Sequence, residues 1–333
     1  MTAMSENDQR EVGGDATAAP LASIVVATHN RRDRLAMLFE GLREQTVGTD
    51  TFEVIVVDDG SSDDTAELLE QERARGELRL SYHHRPVAGG PASARNMGWQ
   101  SASSPLIVFT DDDVVPTPGW LEAILQVAEP DAKILVQGPT RPLPSERHLL
   151  GPFSRTVDIT GPTPHYETCN IAYPRALLEQ LGGFDENYPA AAGEDSDLGW
   201  RAVDAGAELR FAPAALTHHA VHARGPLAAL KDVRLSEQGV QAYKVNPGLR
   251  EHLPQKVFYR RSHALFLEAA LAVVLAKRTP AALAFALPYA LHVRSRAKQQ
   301  GATTAQMVFY PVYDGLEILA VARGSIRHRV PII

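Results

Sequence analysis

The run PLIVFTDDDVVPTPGW, residues 105–120, joins an apolar segment to a cluster of acids. Leu106 to Phe109 has the length and continuity of a buried strand, and it stops at Asp111, Asp112 and Asp113. The chain then leaves through a Pro-rich turn toward a helix starting near Trp120. Adjacent anions repel one another, so three of them at the mouth of a buried strand call for an offsetting charge. Asp oxygens are hard ligands suited to Mg2+ or Mn2+, which take one or two carboxylates and complete their shell with phosphate and water. A solvated acidic turn is the alternative for an isolated triplet, so the neighbouring strings decide.

Upstream, residues 21–28 (LASIVVAT) form a β-branched strand ending at His29-Asn30-Arg31-Arg32. Residues 33–45 then place Leu35, Leu38, Phe39 and Leu42 at helical spacing. A second buried strand, residues 52–57 (FEVIVV), runs into Asp58-Asp59-Gly60-Ser61-Ser62-Asp63-Asp64-Thr65, where Ser62 or Asp63 is placed to cap the next helix. A weaker strand from Leu78 to His83 leads to the loop Val87-Ala88-Gly89-Gly90-Pro91 and a helix from about Ala92 to Gln100. Continuously apolar strands alternating with helices predict an α/β fold with a mostly parallel sheet covered on both faces. Ligands of such sheets bind beyond the carboxyl ends of the strands, where each of these polar clusters lies. The helix start after Gly89-Gly90, with Arg95 nearby, suggests a diphosphate site beside the metal. No Walker-type Gly-Lys-Ser/Thr string and no GxGxxG follows the first strand, which argues against P-loop NTPases and standard dinucleotide folds.

Downstream, Leu121–Val127 continues a helix, Ile134–Gln137 has strand character, and residues 138–165 are Pro/Gly-rich without a period, a length of loop that is often functional. Thr168–Tyr173 reads as a strand and Pro174–Leu181 as a helix closed by Gly182-Gly183. The helix expected from Asp195 to Ala205 opens on Glu194-Asp195 with Asp197 close behind, more acid than capping requires. A strand from Glu208 to Ala212 precedes Thr217-His218-His219 and His222.

The 333 residues, 44% hydrophobic and 22% charged, suffice for one large or two small domains. The single cysteine, Cys169, excludes an internal disulfide and a thiolate metal cluster and fits a reducing compartment. Residues 1–20 are polar and acidic without an apolar core, and read as a disordered tail rather than a signal peptide. The net charge of −7 is unevenly spread: residues 251–333 carry 11 Lys/Arg against 4 Asp/Glu, which leaves −14 on the first 250. Such a basic end points to a membrane surface or phosphorylated lipid rather than to nucleic acid, the alternative being simple balance of the acidic front.

In combination, VVATHNR, FEVIVVDDGSSDDT, GGPASARNMG, FTDDD, NIAYPRALLEQLGGFDE, GEDSDLGWR and the later His pair resemble the inverting family 2 glycosyltransferases of GT-A fold over about residues 21–222. Ala27 departs from the Pro that many members carry there. The resemblance implies an enzyme that moves a sugar from a nucleotide-diphosphate donor to an acceptor hydroxyl on a glycan, lipid-linked or small molecule. It implies that Thr28, Asn30, Arg31 and Asp59 line the nucleoside pocket, Asp59 accepting from a base N–H, which favours UDP or dTDP. Arg95 would meet the base or diphosphate, and Asp112 the ribose or metal. Asp111 and Asp113 would form the metal pair for Mg2+ or Mn2+, joined by His218 or His219. The general base falls in Glu194-Asp195, with Asp195 preferred. Two alternatives stand beside this. A nucleotidyltransferase would need a Gly-rich loop after the first strand, which ATHNRRD lacks; a non-catalytic sugar-nucleotide or glycan-binding module would not need the retained acids.

Residues 223–333 lie outside the resemblance and are expected to form a helical C-terminal subdomain. Residues 264–276 and 281–291 are strongly apolar, separated by Lys277-Arg278-Thr279-Pro280. Each is shorter than the ~20 residues that cross a bilayer. Two packed helices are one expectation. A shallow membrane contact through residues 264–298 is the other, with Arg294, Arg296 and Lys298 just beyond, giving a cytoplasmic protein peripheral to the inner face of the cell membrane.

Overall fold

The computed structural model describes residues 19–188 and 191–333; most of the stretch expected as a tail lies outside them. The chain runs β1 (Ala22–Thr28), α1 (Arg32–Arg43), β2 (Phe52–Asp58), α2 (Thr65–Arg75), β3 (Arg79–His84), α3 (Pro91–Ser101) and β4 (Leu106–Asp111). Next come β5 (Val114–Pro116), α4 (Trp120–Val127), β6 (Ile134–Gln137), β7 (Thr140–Pro142), β8 (Asn170–Pro174) and α5 (Arg175–Leu181). After α6 (Glu194–Asp204), β9 (Glu208–Phe211) and β10 (Thr217–His219), the rest is helical: α7 (Pro226–Lys231), α8 (Val233–Val245), α9 (Arg261–Leu275), α10 (Leu287–Gln299) and α11 (Phe309–His328).

The main sheet has the order β3-β2-β1-β4-β8-β6-β9, with β8 antiparallel to both of its neighbours and the remaining pairs parallel. Side chains alternate across it. Ala22, Ile24 and Val26 of β1 join Leu35, Phe39 and Trp120 in one core, while Val25 joins Trp99, Leu177 and Leu198 in the other. Burying each of these larger side chains contributes roughly 1.5–3 kcal/mol, so both layers hold the sheet. Close approach of α3 depends on Gly98, where a Cβ would lie 2.4 Å from the Val25 side chain. The parallel register sets Thr28 beside Asp58 and Ala27 beside Asp111, which gathers the polar strand ends at one edge.

A small sheet, β5-β10-β7, covers that edge. It pairs His219 with Val114, one residue beyond Asp113. Residues 138–165, expected as a long unpatterned loop, contain β7, a 3-10 turn at Pro144–Leu149, and bridges Thr140–Ile159 and Arg155–His222.

The C-terminal helices pack on the sheet domain through α6. Trp200 meets Gly248 and the His252 ring, and Asn246 donates to Asp197 Oδ1 at 3.1 Å. The expected apolar pair is present as α9 and α10, but residues 280–286 form a 3-10 turn and α10 starts only beside Pro288, which has no N–H to donate and is tolerated in a first turn. Among the described residues, no helix is long and apolar enough to cross a membrane.

Candidate active site

The three acids after β4 point to three different partners. Asp111 and Asp113 would share a side in extended chain, as expected of a metal pair, but a turn at residues 112–113 breaks the alternation. Asp111 Oδ1 accepts from Arg95 at 3.0 Å. Asp112 accepts from Thr28 Oγ1 at 2.7 Å, both side chains buried. Burial and the adjacent Asp113 push the Asp112 carboxyl up to about 7, against the pull of Thr28 and Arg31. Asp113 meets His222 Nε2 at 2.7 Å, Arg31 at 3.2 Å and His219 Nε2 at 3.4 Å. Burial opposes its charge, yet His222, His219 and Arg31 hold it at about 2.

Asp113, His219 and His222 therefore form a compact set of potential ligand atoms. The donor chemistry fits a divalent cation. His219 Nδ1 lies 2.8 Å from the Ala220 carbonyl, which can only accept, so Nδ1 carries a proton and the neutral ring would present its Nε2 lone pair toward Asp113. Two facing acceptors repel unless a proton or metal lies between them. His218, expected as an equal candidate, is on the other side of β10, toward Arg147. Asp111, the other expected member of the pair, is not in this set. His222 was missed as a ligand in the sequence, although the His219-x-x-His222 spacing was there to be read.

Arg95 also departs from expectation. Its guanidinium is buried and bonded to Glu194 at 3.0 Å, Asp111 at 3.0 Å and, at 3.4 Å, Asp195, with the Phe184 ring behind it. Burial alone would lower its pKa, but Asp195, Asp111 and Glu194 hold it above the ordinary value, so it stays a cation. Its donors face the protein's own acids rather than an open diphosphate site. The anion expected at the start of α3 is likewise internal: Asp59 accepts from Gly89 N at 2.9 Å, Gly90 N at 2.8 Å and Arg85 at 2.9 Å. Asp59 is thus engaged by donors of the chain itself. Asn30, in a left-handed conformation (φ 54°), accepts from Ser62 N at 2.7 Å and pins the turn after β2.

Gly193 (φ 102°) opens α6, a backbone conformation that side-chain-bearing residues rarely adopt, and delivers Glu194 and Asp195 to Arg95. Asp195 Oδ2 accepts from Thr168 N at 3.1 Å and Thr168 Oγ1 at 3.0 Å, a partner not foreseen from sequence. Burial and the charge of Glu194 raise the Asp195 pKa well above its ordinary value, against Arg95 and Thr168. A carboxylate that is mostly but not wholly enclosed, its side chain 23% exposed, with a raised pKa and both oxygens held, suits a general base.

A cavity of about 790 Å3 contains Arg31, Arg95, Asp111, Asp112, Asp113, His219 and His222 on its walls. A second, of about 610 Å3, lies between α6, the 150–156 loop and the C-terminal helices, and shares Arg155, Ala191 and Arg224 with the first.

The family model of glycosyl transferase family 2 matches residues 23–182. Among relatives, the chain is similar to validoxylamine A glucosyltransferase of Streptomyces hygroscopicus subsp. jinggangensis, 31% identical over 56% of this chain and 52% of that protein. It is also similar to pre-mycofactocin glycosyltransferase of Mycobacterium tuberculosis, 32% identical over 54% of this chain and 40% of that protein. The chain thus spans about half or less of the length of these relatives. Among solved structures, the fold is similar to mannosyltransferase PcManGT of Pyrobaculum calidifontis, in complex with GDP-Man and Mn2+, with a TM-score of 0.64 and 21% identity over 94% of this chain and 89% of that one.

Proposed function

We propose, from the match of residues 23–182 to the glycosyl transferase family 2 model, that the chain is a metal-dependent inverting glycosyltransferase acting on a nucleotide-diphosphate sugar. The observation that carries this is the cavity whose walls hold the histidine–carboxylate cation site together with Asp111 and Arg95, the arginine being bonded to the raised-pKa Asp195. The relatives, a glucosyltransferase and a glycosyltransferase, add sugar transfer as the reaction class. The acidic pair and the histidines lie beyond the residues that the family model matches, so their roles rest on geometry.

In this reading Asp195 Oδ takes the proton of the acceptor hydroxyl. The hydroxyl oxygen forms a bond to the anomeric carbon as the bond to the departing nucleoside diphosphate breaks on the opposite face, which inverts the centre without an enzyme nucleophile. Thr168 and Arg95 orient the base, and Arg31, next to Asp113, adds positive charge beside the leaving group. A Mg2+ or Mn2+ ion held by Asp113, His219 and His222 would supply further offset of diphosphate charge. The acceptor enters by the second cavity, which Ser196, next to Asp195, helps to line.

The test is calorimetry with UDP, dTDP, GDP and their sugars, with metal and with chelator, on the wild type and Asp195→Asn. All three bases belong in the panel because Asp59, the sequence's reason to favour uracil or thymine, is engaged by Gly89, Gly90 and Arg85. Metal-dependent binding of one nucleotide, retained in Asp195→Asn while turnover falls by roughly 10²–10⁴-fold, supports the assignment. Unchanged turnover in the variant would remove Asp195 from the role of base, and binding of no nucleotide would sink the enzyme reading.

A further inference from the structure

The C-terminal helices expose large apolar side chains at one end. Leu271, Val274, Leu283, Phe285 and Leu287 are each more than half exposed. They lie where α9 ends and the 3-10 turn Pro280–Ala286 packs back against it, so these five share one tip. Contiguous apolar surface of this kind marks an interaction site.

The charge around the tip selects the partner. From residue 269 to residue 313 the chain has no Asp or Glu, and its charged residues are Lys277, Arg278, Arg294, Arg296 and Lys298. Arg296 pairs with Asp314; the other four have no acidic partner among the described residues. Lys277 and Arg278 sit at the apex, between the two apolar segments. A second copy meeting this face symmetrically would bring like charges together, whereas a sheet of lipid phosphates would complement them. The segments are too short to span a bilayer but suit insertion at its headgroup boundary.

We propose that this tip docks on an anionic lipid surface, with the apolar side chains in the acyl boundary and Lys277 and Arg278 among the headgroups. The 13 residues of α10 then set a spacing of about 20 Å between the tip and Gln299 and Gln300, which line the second cavity. The proposal stands apart from the catalytic reading, because docking is measured without turnover.

The experiment is flotation of the full chain with vesicles of phosphatidylcholine alone, or of phosphatidylcholine with phosphatidylglycerol. The wild type is expected to float with the anionic vesicles and to be released by salt. Lys277→Gln with Arg278→Gln should weaken partition about thirtyfold. Val274→Glu with Phe285→Glu, at exposed positions that the fold does not need, should abolish it while nucleotide binding persists. No flotation of the wild type, or equal flotation of both variants, would overturn the proposal. So would sedimentation showing a dimer that Val274→Glu with Phe285→Glu dissolves, which would give the tip to a second copy.

Discussion

Asp195 is ionisable under opposing pressures, and Thr168 is the neighbour through which they can be measured. Burial and Glu194 favour its neutral form; Arg95 and the two Thr168 donors favour the carboxylate. A base must be ionised, so turnover falls as pH drops through the raised pKa, and the acid limb of kcat lies above the ordinary Asp value of 3.8. Thr168→Val keeps the backbone donor and removes the hydroxyl, which destabilises the carboxylate. The limb is expected to move to higher pH, with turnover on its acid side roughly tenfold lower and donor binding intact; a kcat–pH profile checks this. The acids themselves were legible in the sequence, since DDD and GEDSD are local strings whose charge exceeds what strand ends or caps need. Their partners were not. Arg95 reaches Glu194 across 99 positions, and the choice of His222 over His218 depends on the phase of β10 and on the Arg155 bridge, neither written in the local spacing.

At the level of elements, α11 is fastened by two buried carboxylates rather than by apolar packing alone. Glu317 accepts from Ser236 of α8 at 2.8 Å and meets His263 of α9 at 3.1 Å and Arg260 at 2.8 Å, while Asp314 accepts from Ser262 and from Tyr289 of α10. Burial works against the Glu317 charge, but His263, Arg260 and Ser236 hold its pKa at about 2. A depressed carboxyl contributes stability that is present above its ordinary 4.5 and lost as pH falls through about 2. Glu317→Gln would strand the charge of Arg260. Because that side chain is half exposed, the cost should be about 2 kcal/mol, below the ~3–5 of a fully enclosed pair. Urea unfolding at neutral pH should show the loss, and the gap to wild type should narrow as pH approaches 2. Of this region's helices, α9 and α10 were legible as apolar runs; the bolts were not, because single acids in α11 look like solvent-facing charge until three other helices close over them.

At the scale of the whole molecule, the second cavity exists only because the C-terminal helices lean on α6. Its lining takes Gly193 and Ser196 from the start of α6 and Gly239, Tyr243 and Tyr259 from the C-terminal region. Neither half alone would enclose an acceptor, so the region outside the family match supplies the acceptor side of the proposed reaction. On the two proposals the uneven charge has a spatial meaning, with the acidic front carrying the proposed cation and donor site and the basic end the proposed lipid-docking tip. Gly239 tests the arrangement with little risk to folding. A Cβ there meets nothing nearer than the Tyr259 hydroxyl at 3.9 Å, and replacing a mid-helix glycine gains up to about 1 kcal/mol of helix propensity. Gly239→Leu should therefore melt no lower than wild type and bind the donor nucleotide equally well, because the first cavity is untouched. Its side chain would fill the acceptor's space, so the acceptor KM is expected to rise about tenfold or more, given the ~1–3 kcal/mol that overpacking costs. Unchanged acceptor kinetics in a folded, nucleotide-binding variant would move the acceptor out of this cavity. The C-terminal helices would then be left with the membrane tip as their part in the proposed reaction.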